Sequence, residues 1–304
     1  MRTAFINQLV KEAEKNEKIF LIVGDLGYNV VEVFEKKYPE RFLNAGIAEQ
    51  NMIGVASGLA MQGYIVYVYS IGNFPTLRCI EQIRNDVAYH SLNVRIVSVG
   101  AGYAYGSLGA SHHTTEDIGV MRTIPNMVVC SPCDPIETVK ITSLSAVHEG
   151  PMYIRLGKAG EKEVHVDQYS KFNRLDSLDI GDIIPVIKNN ENIAVLATGS
   201  IVYSLQRAII DTKLSYDLYS FPFIKPIIIE KLKNIVSNYA NIICFEEHQK
   251  SAGFGSAIIE QVNDLYAMGT INSYPKIIRK AINDEFIYEV GDQTSLRKKE
   301  QLSL

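Results

Sequence analysis

The stretch KIFLIVGD at residues 18–25 is a short apolar run that stops on Gly24-Asp25. Its five apolar residues, 19–23, show no alternation, which reads as a strand buried on both faces of a parallel sheet. Upstream, Phe5, Leu9 and Ala13, with Ile6 and Val10, form a stripe at helical spacing. Downstream the pattern alternates. Residues 30–38 read as helix, 41–45 as a short strand and 49–62 as a helix rich in small residues. Residues 64–69 follow as strand, 76–89 as helix, and 94–99 and 127–129 as strands. Asp134-Pro135 supplies an N-cap and a first-turn proline for a helix to about residue 148, and 152–155 closes the set. Alternation of this kind predicts an α/β domain over 1–160 with a doubly wound, mainly parallel sheet.

The pattern breaks over the polar stretch that contains GKAGEKE and KNNEN, so 161–190 is expected to connect two domains. A short strand near 183–186 is assigned to the following domain. Alternation resumes over 191–304, with strands at 193–198, 215–221 and 241–245 and helices at 201–212, 226–239 and 253–265. A second, smaller doubly wound α/β domain is therefore expected, ending in a charged tail, SLRKKEQLSL, that should fray. The 304 residues carry a net charge of −4 and no long basic run, which argues against a nucleic-acid partner. Four scattered cysteines make no disulfide framework, so a reduced, cytoplasmic setting is expected. The N-terminus lacks a signal-peptide layout and no apolar run is long enough to span a bilayer, so no membrane partner is expected.

Five features carry candidate chemistry. Glu49 opens the small-residue helix. It reads either as a first-turn carboxylate on the helix dipole or as a buried carboxylate that needs a partner or a proton. Phe74 sits in a loop before a helix, free to stack on a flat ring or to pack in the core. The glycine-rich loop from Val99 to His113 misses the dinucleotide spacing by one residue, because Gly106 follows Gly102 too late. Its adjacent His112 and His113, with Glu116, invite a metal, but neighbouring side chains diverge and no metal site is expected. Cys130-Ser-Pro-Cys133 is either a redox pair or, as expected here, two reduced structural cysteines. Arg155, at a strand end, either forks onto a phosphate or carboxylate or makes a surface ion pair.

In their order and spacing these segments resemble the transketolase family, and also deoxyxylulose-phosphate synthase and the β subunits of 2-oxoacid dehydrogenases. The motifs are GIAEQ at 46–50, NF before EQIRND, GSLGASHH at 106–113, RTIPNMVV at 122–129 and YIRLG at 153–157. The resemblance is strong over 1–160 and looser beyond, where FEEHQKSAGFGSAI at 245–258 is similar to the family's final-domain glycine motif. It implies a thiamine-diphosphate pyrimidine-binding domain followed by a transketolase C-terminal-like domain. In such a site Glu49 would bond the cofactor's pyrimidine nitrogen N1′ and favour the imino tautomer of its amino group. Phe74 would stack on the pyrimidine and Asp25 would lie near the cofactor. His112 would face the reacting carbons and help proton transfer, with His113 beside it toward substrate. Arg155 would bind a sugar phosphate.

Three positions depart from the family pattern. Leu108 replaces the aspartate that orders donor hydroxyls, Gly100 replaces a histidine, and Tyr28 replaces a serine that binds donor phosphate. The resemblance thus implies intact cofactor chemistry and altered donor recognition. The family's GDG and downstream NN, which hold diphosphate and Mg²⁺, have no counterpart; Gly181-Asp182 and Asn189-Asn190 lie too close together. A separately encoded N-terminal subunit is therefore expected to carry that site, in an α2β2 assembly. The expected activity is transfer of a two-carbon ketol unit between sugars or sugar phosphates. The alternatives are a β-type subunit of a 2-oxoacid-decarboxylating, acyl-transferring enzyme, or a non-catalytic regulatory subunit.

Overall fold

The structure, a computed structural model, describes residues 1–166, 177–189 and 192–304. Part of the expected connection over 161–190, including Asn190, lies outside the described residues.

The first half runs α1 (Arg2–Lys15), β1 (Ile19–Val23), α2 (Glu32–Lys37), β2 (Phe42–Asn44), α3 (Glu49–Met61), β3 (Ile65–Ile71) and α4 (Ile80–Gln82). It continues through β4 (Val94–Val99), α5 (Asp117–Thr123), β5 (Val128–Cys130), α6 (Pro135–Ser145) and β6 (Met152–Leu156). The second half comprises β7 (Ile184–Ile187), β8 (Ile193–Ala197), α7 (Ile201–Thr212), β9 (Asp217–Ser220) and β10 (Phe223–Lys225). After these come α8 (Ile229–Asn238), β11 (Asn241–Gln249), α9 (Phe254–Ala267), β12 (Lys276–Ile282) and α10 (Gln293–Lys299).

One sheet has the order β10-β5-β6-β4-β3-β1-β2 and the other β12-β11-β8-β9-β7. Among the described residues every strand pairing is parallel except β10 on β5 and β7 on β9. The fold is thus two mainly parallel α/β sheets, as the apolar runs imply. β1 sits inside the first sheet between β2 and β3, which is why its residues need not alternate. The α1 stripe, Phe5, Ile6, Leu9 and Ala13, is buried. On the same helix Glu12 accepts from Gln8 and from Ser143 of α6, so a polar contact joins the two helices.

Four local results differ from the sequence expectation. The helix expected over 76–89 is a 3₁₀ turn, the short α4 and then a π-helix over Ile83–Ala88, which buries Ile83, Val87 and Ala88. β10 lies between Pro222 and Pro226 and leaves its own half of the chain to form the edge of the first sheet. Prolines tolerate an edge, and so short a run carries no periodic signal. β12, absent from the expectation, forms an edge of the second sheet. The tail does not simply fray: α10 is capped by Asp292 and buries Leu296, and Leu302 is buried after it.

Candidate functional site

The C-terminal ends of the parallel strands in the first sheet set the site, because loops leaving those ends converge there. The loop after β2 leads into α3, whose first residue is Glu49. Its side chain is only 1% exposed. The Arg78 guanidinium donates to Glu49 Oε2 at 2.6 Å, and Ser70 of β3 stands 3.5 Å from Oε1. Behind the carboxylate, Gly24 leaves room: a Cβ there would sit 3.6 Å from Glu49 Oε1. Arg78 itself is half-exposed and lies over the Phe74 ring, 4.8 Å from its centroid.

Phe74 belongs to the loop after β3. Gly72 starts that loop at φ +34°, and a Cβ there would meet Thr114 Oγ1 at 2.0 Å, so the close approach of the two loops requires glycine. Asn73 Nδ2 donates to the His113 carbonyl at 2.5 Å, which ties the β3 loop to the β4 loop. The β4 loop is pinched where Gly102 and Thr114 exchange backbone hydrogen bonds of 2.9 Å. Between them lie two 3₁₀ turns, Gly106–Leu108 and Ala110–His112. The His112 ring meets the edge of Phe74 at 5.4 Å between centroids. His113 turns inward against Tyr103 at 5.1 Å, and burial holds its imidazole below the ordinary histidine range. Its Nε2 is buried without a partner.

Asp25 is on the same edge but exposed, in the left-handed region at φ 53°. Its carboxylate accepts from Asn44 Nδ2 at 3.0 Å. Glu49, at a helix start, and Phe74, His112 and Asp25, on loops, therefore all follow the C-terminal ends of strands of one sheet.

Arg155 does not join them. It is 2% exposed and its Nε donates to Asp117 Oδ2 at 2.7 Å, while Nη2 donates to the carbonyls of Thr114 and Glu247. The ion pair is buried, not a surface one, and it binds β6 to α5 and β11. The partner comes from a position, Asp117, that shows no special pattern in sequence. The cysteines also separate: Cys130 packs with the core around α1, and Cys133 with the core of the second sheet. All four cysteines are free.

Two residues escaped the sequence reading. Arg78 touches both Glu49 and Phe74; the one available signal was its place four residues after Phe74, in the same loop-to-helix turn. Glu247 of β11 accepts from the Tyr103 amide at 2.6 Å and from Arg297 Nε of α10 at 2.5 Å, so the second sheet holds the β4 loop. Gly102, at φ +58°, is needed because a Cβ would meet the Glu247 side chain at 2.5 Å. His248 also crosses between the halves: its Nε2 accepts from the Gly119 amide at 3.1 Å.

The family model for "Transketolase, pyrimidine binding domain" matches residues 1–160. The chain belongs to the transketolase family. A model for "Transketolase, C-terminal domain" matches 183–280 of this transketolase-family chain. The chain is 36% identical to a "Putative transketolase C-terminal section" of Methanocaldococcus jannaschii, over 94% of this chain and 87% of the relative. It is 32% identical to one of the subunits of an apulose-4-phosphate transketolase of Actinobacillus succinogenes, over 87% and 82%. Among solved structures it is similar to a "Split gene transketolase, inactive beta4 tetramer", with TM-score 0.82, 31% identity, and 99% and 93% of the two chains covered. This family member thus has the domains of the C-terminal section of a split transketolase. Among the described residues, no helix is long and apolar enough to cross a membrane.

Proposed function

We propose that the chain is the C-terminal subunit of a thiamine-diphosphate-dependent transferase that moves a two-carbon ketol unit between sugars or sugar phosphates. The single observation that carries this is Glu49: a buried carboxylate at a helix start, with Phe74 and His112 on adjoining loops of the same sheet edge.

These residues fit the pyrimidine end of the cofactor. Glu49 has one oxygen held by Arg78 and the other only loosely approached by Ser70, so it keeps acceptor capacity toward a ring N–H. Phe74 offers an aromatic face, over which Arg78 now lies; a stacked ring would take the place of that half-exposed guanidinium. Thiamine diphosphate, when bound, supplies the nucleophilic carbon that cleaves the donor's C–C bond. Glu49 holds a proton at the ring nitrogen. His112 reaches toward substrate and moves a proton there, and its Nδ1 is 3.0 Å from Ser111 Oγ, which orients the ring. His113 packs behind it and steadies the loop. Asp25 closes the cofactor side. The diphosphate and Mg²⁺ would be held by the partner.

A partner is further supported by exposed apolar side chains around this edge. Tyr28, Ile47 and Leu108 are 70%, 79% and 53% exposed and come from the loops after β1, β2 and β4. The solved split-gene relative is described as an inactive β4 tetramer, and for this chain we propose a second subunit, in an α2β2 assembly.

The test is reconstitution with the diphosphate-binding subunit, thiamine diphosphate and Mg²⁺, assayed on ketose phosphates, free ketoses and 2-oxoacids. Ketose turnover that requires both subunits is expected. Turnover by this chain alone, or of 2-oxoacids only, would overturn the reading.

A further inference from the structure

The CSPC segment ends on a second cluster that the proposed reaction does not use. Cys133 lies just before α6, Glu137 in its first turn, and His165 thirty-odd residues on, after β6. Their ligand atoms all lie within 4.8 Å of one another, and all three side chains are buried. Cys133 Sγ is 3.7 Å from His165 Nε2, which is 2.9 Å from Glu137 Oε1. Ligand atoms around a tetrahedral zinc stand roughly 3.2–3.7 Å apart. The sulfur and nitrogen are thus already spaced for a shared ion, and the carboxylate need withdraw only by a few tenths of an ångström.

His165 Nε2 is the nitrogen that faces the cluster. Ser220 Oγ, on β9 of the second sheet, lies against both Cys133 and Glu137. The surrounding residues are also built to hold ligands in place. Asp134 Oδ2 accepts from the Val164 and His165 amides, and Glu137 Oε2 accepts from the Cys133 amide at 2.7 Å, leaving Oε1 to face the cluster.

We propose that Cys133, Glu137 and His165 form a site for a zinc-class divalent ion at the junction of the two sheets, with a water hydrogen-bonded to Ser220 as fourth ligand. Thiolate, imidazole and carboxylate together match zinc, whereas an all-oxygen set would suit magnesium or calcium. On binding, Cys133 gives up its S–H proton and the proton between His165 Nε2 and Glu137 leaves that bond, so that thiolate, imidazole and carboxylate face the dication. The ion staples α6, the segment at 164–165 and the second sheet.

The full chain, reduced and stripped with a chelator, is titrated with Zn²⁺ and, as a spectroscopic probe, Co²⁺. One equivalent per chain is expected, with a thiolate-to-cobalt charge-transfer band in the near ultraviolet and a zinc-dependent rise in Tm. Cys133→Ser should abolish the band and the stoichiometric binding, and His165→Gln should weaken binding at least about tenfold. Cys130→Ala should keep both signals. Circular dichroism checks that each variant is folded, and the wild-type cobalt spectrum is informative without any variant. Absence of the band in the wild type, or a band that survives Cys133→Ser or vanishes in folded Cys130→Ala, overturns the site.

Discussion

Glu49 and Arg155 are both charged residues at ends of elements in the first sheet, and both are buried, yet they stand in opposite situations. Glu49 is paired with a half-exposed arginine that can swing away, so its carboxylate can be offered to a ligand. Arg155 is locked to the wholly buried Asp117 and to two carbonyls. Two outcomes follow. Glu49→Ala in the reconstituted enzyme should lower kcat by about 10²–10⁴-fold, the usual worth of a proton-transfer group, while size-exclusion chromatography shows the assembly intact. Asp117→Asn should leave Arg155 buried without its counter-charge and cost roughly 3–5 kcal/mol, read from the urea midpoint. If Arg155 instead served substrate directly, Asp117→Asn would change KM for phosphorylated donors with little loss of stability.

Among the elements, α10 has the most distant effect on the site. Arg297 pairs with Glu247, Glu247 holds the Tyr103 amide, and Tyr103 packs on His113 in the loop that carries His112. Leu296 is the apolar anchor of that helix, packed near Gly106. Leu296→Ala should cost about 2–4 kcal/mol, as buried leucine truncations do, and should expose the β4 loop to limited proteolysis before the molecule unfolds. The charged sequence of the tail hides this, since its partners lie some 50 and 190 residues earlier, at about those separations in the chain.

Taken as a molecule, the chain is laced across its two sheets by β10, by the Glu247 contacts and by His248. At this junction, burial raises Glu246 to about 7 from 4.5, against the Phe254 and Gly255 amides that pull it down. A folded-state value above the unfolded one means that the folded chain binds this proton more tightly. The stability it contributes is full below the ordinary glutamate range and is lost as the pH rises through about 7. Tm should therefore fall from about pH 5 to about pH 8, and Glu246→Gln should flatten that part of the profile. An unchanged slope in the variant would remove Glu246 as its source.

Local pattern was enough for the architecture. The unbroken apolar runs at β1 and β8, the Asp134-Pro135 helix start and the small-residue helix behind Glu49 are statements about nearest neighbours in the chain, and burial in a parallel sheet follows from them. Glu49 at a helix start and Phe74 and His112 in loops after strands could be placed from local pattern, while the roles proposed for them come from the family resemblance. What the chain order could not express was pairing. Arg78 with Glu49, Asp117 with Arg155, Glu247 with the β4 loop and His165 with Cys133 and Glu137 are choices among distant polar groups. They are settled when packing removes water and each buried charge must find its partner at hydrogen-bonding distance. Arg155 shows the difference most plainly: its position at a strand end was readable in sequence, while its pairing with Asp117 followed from what the fold brought beside it.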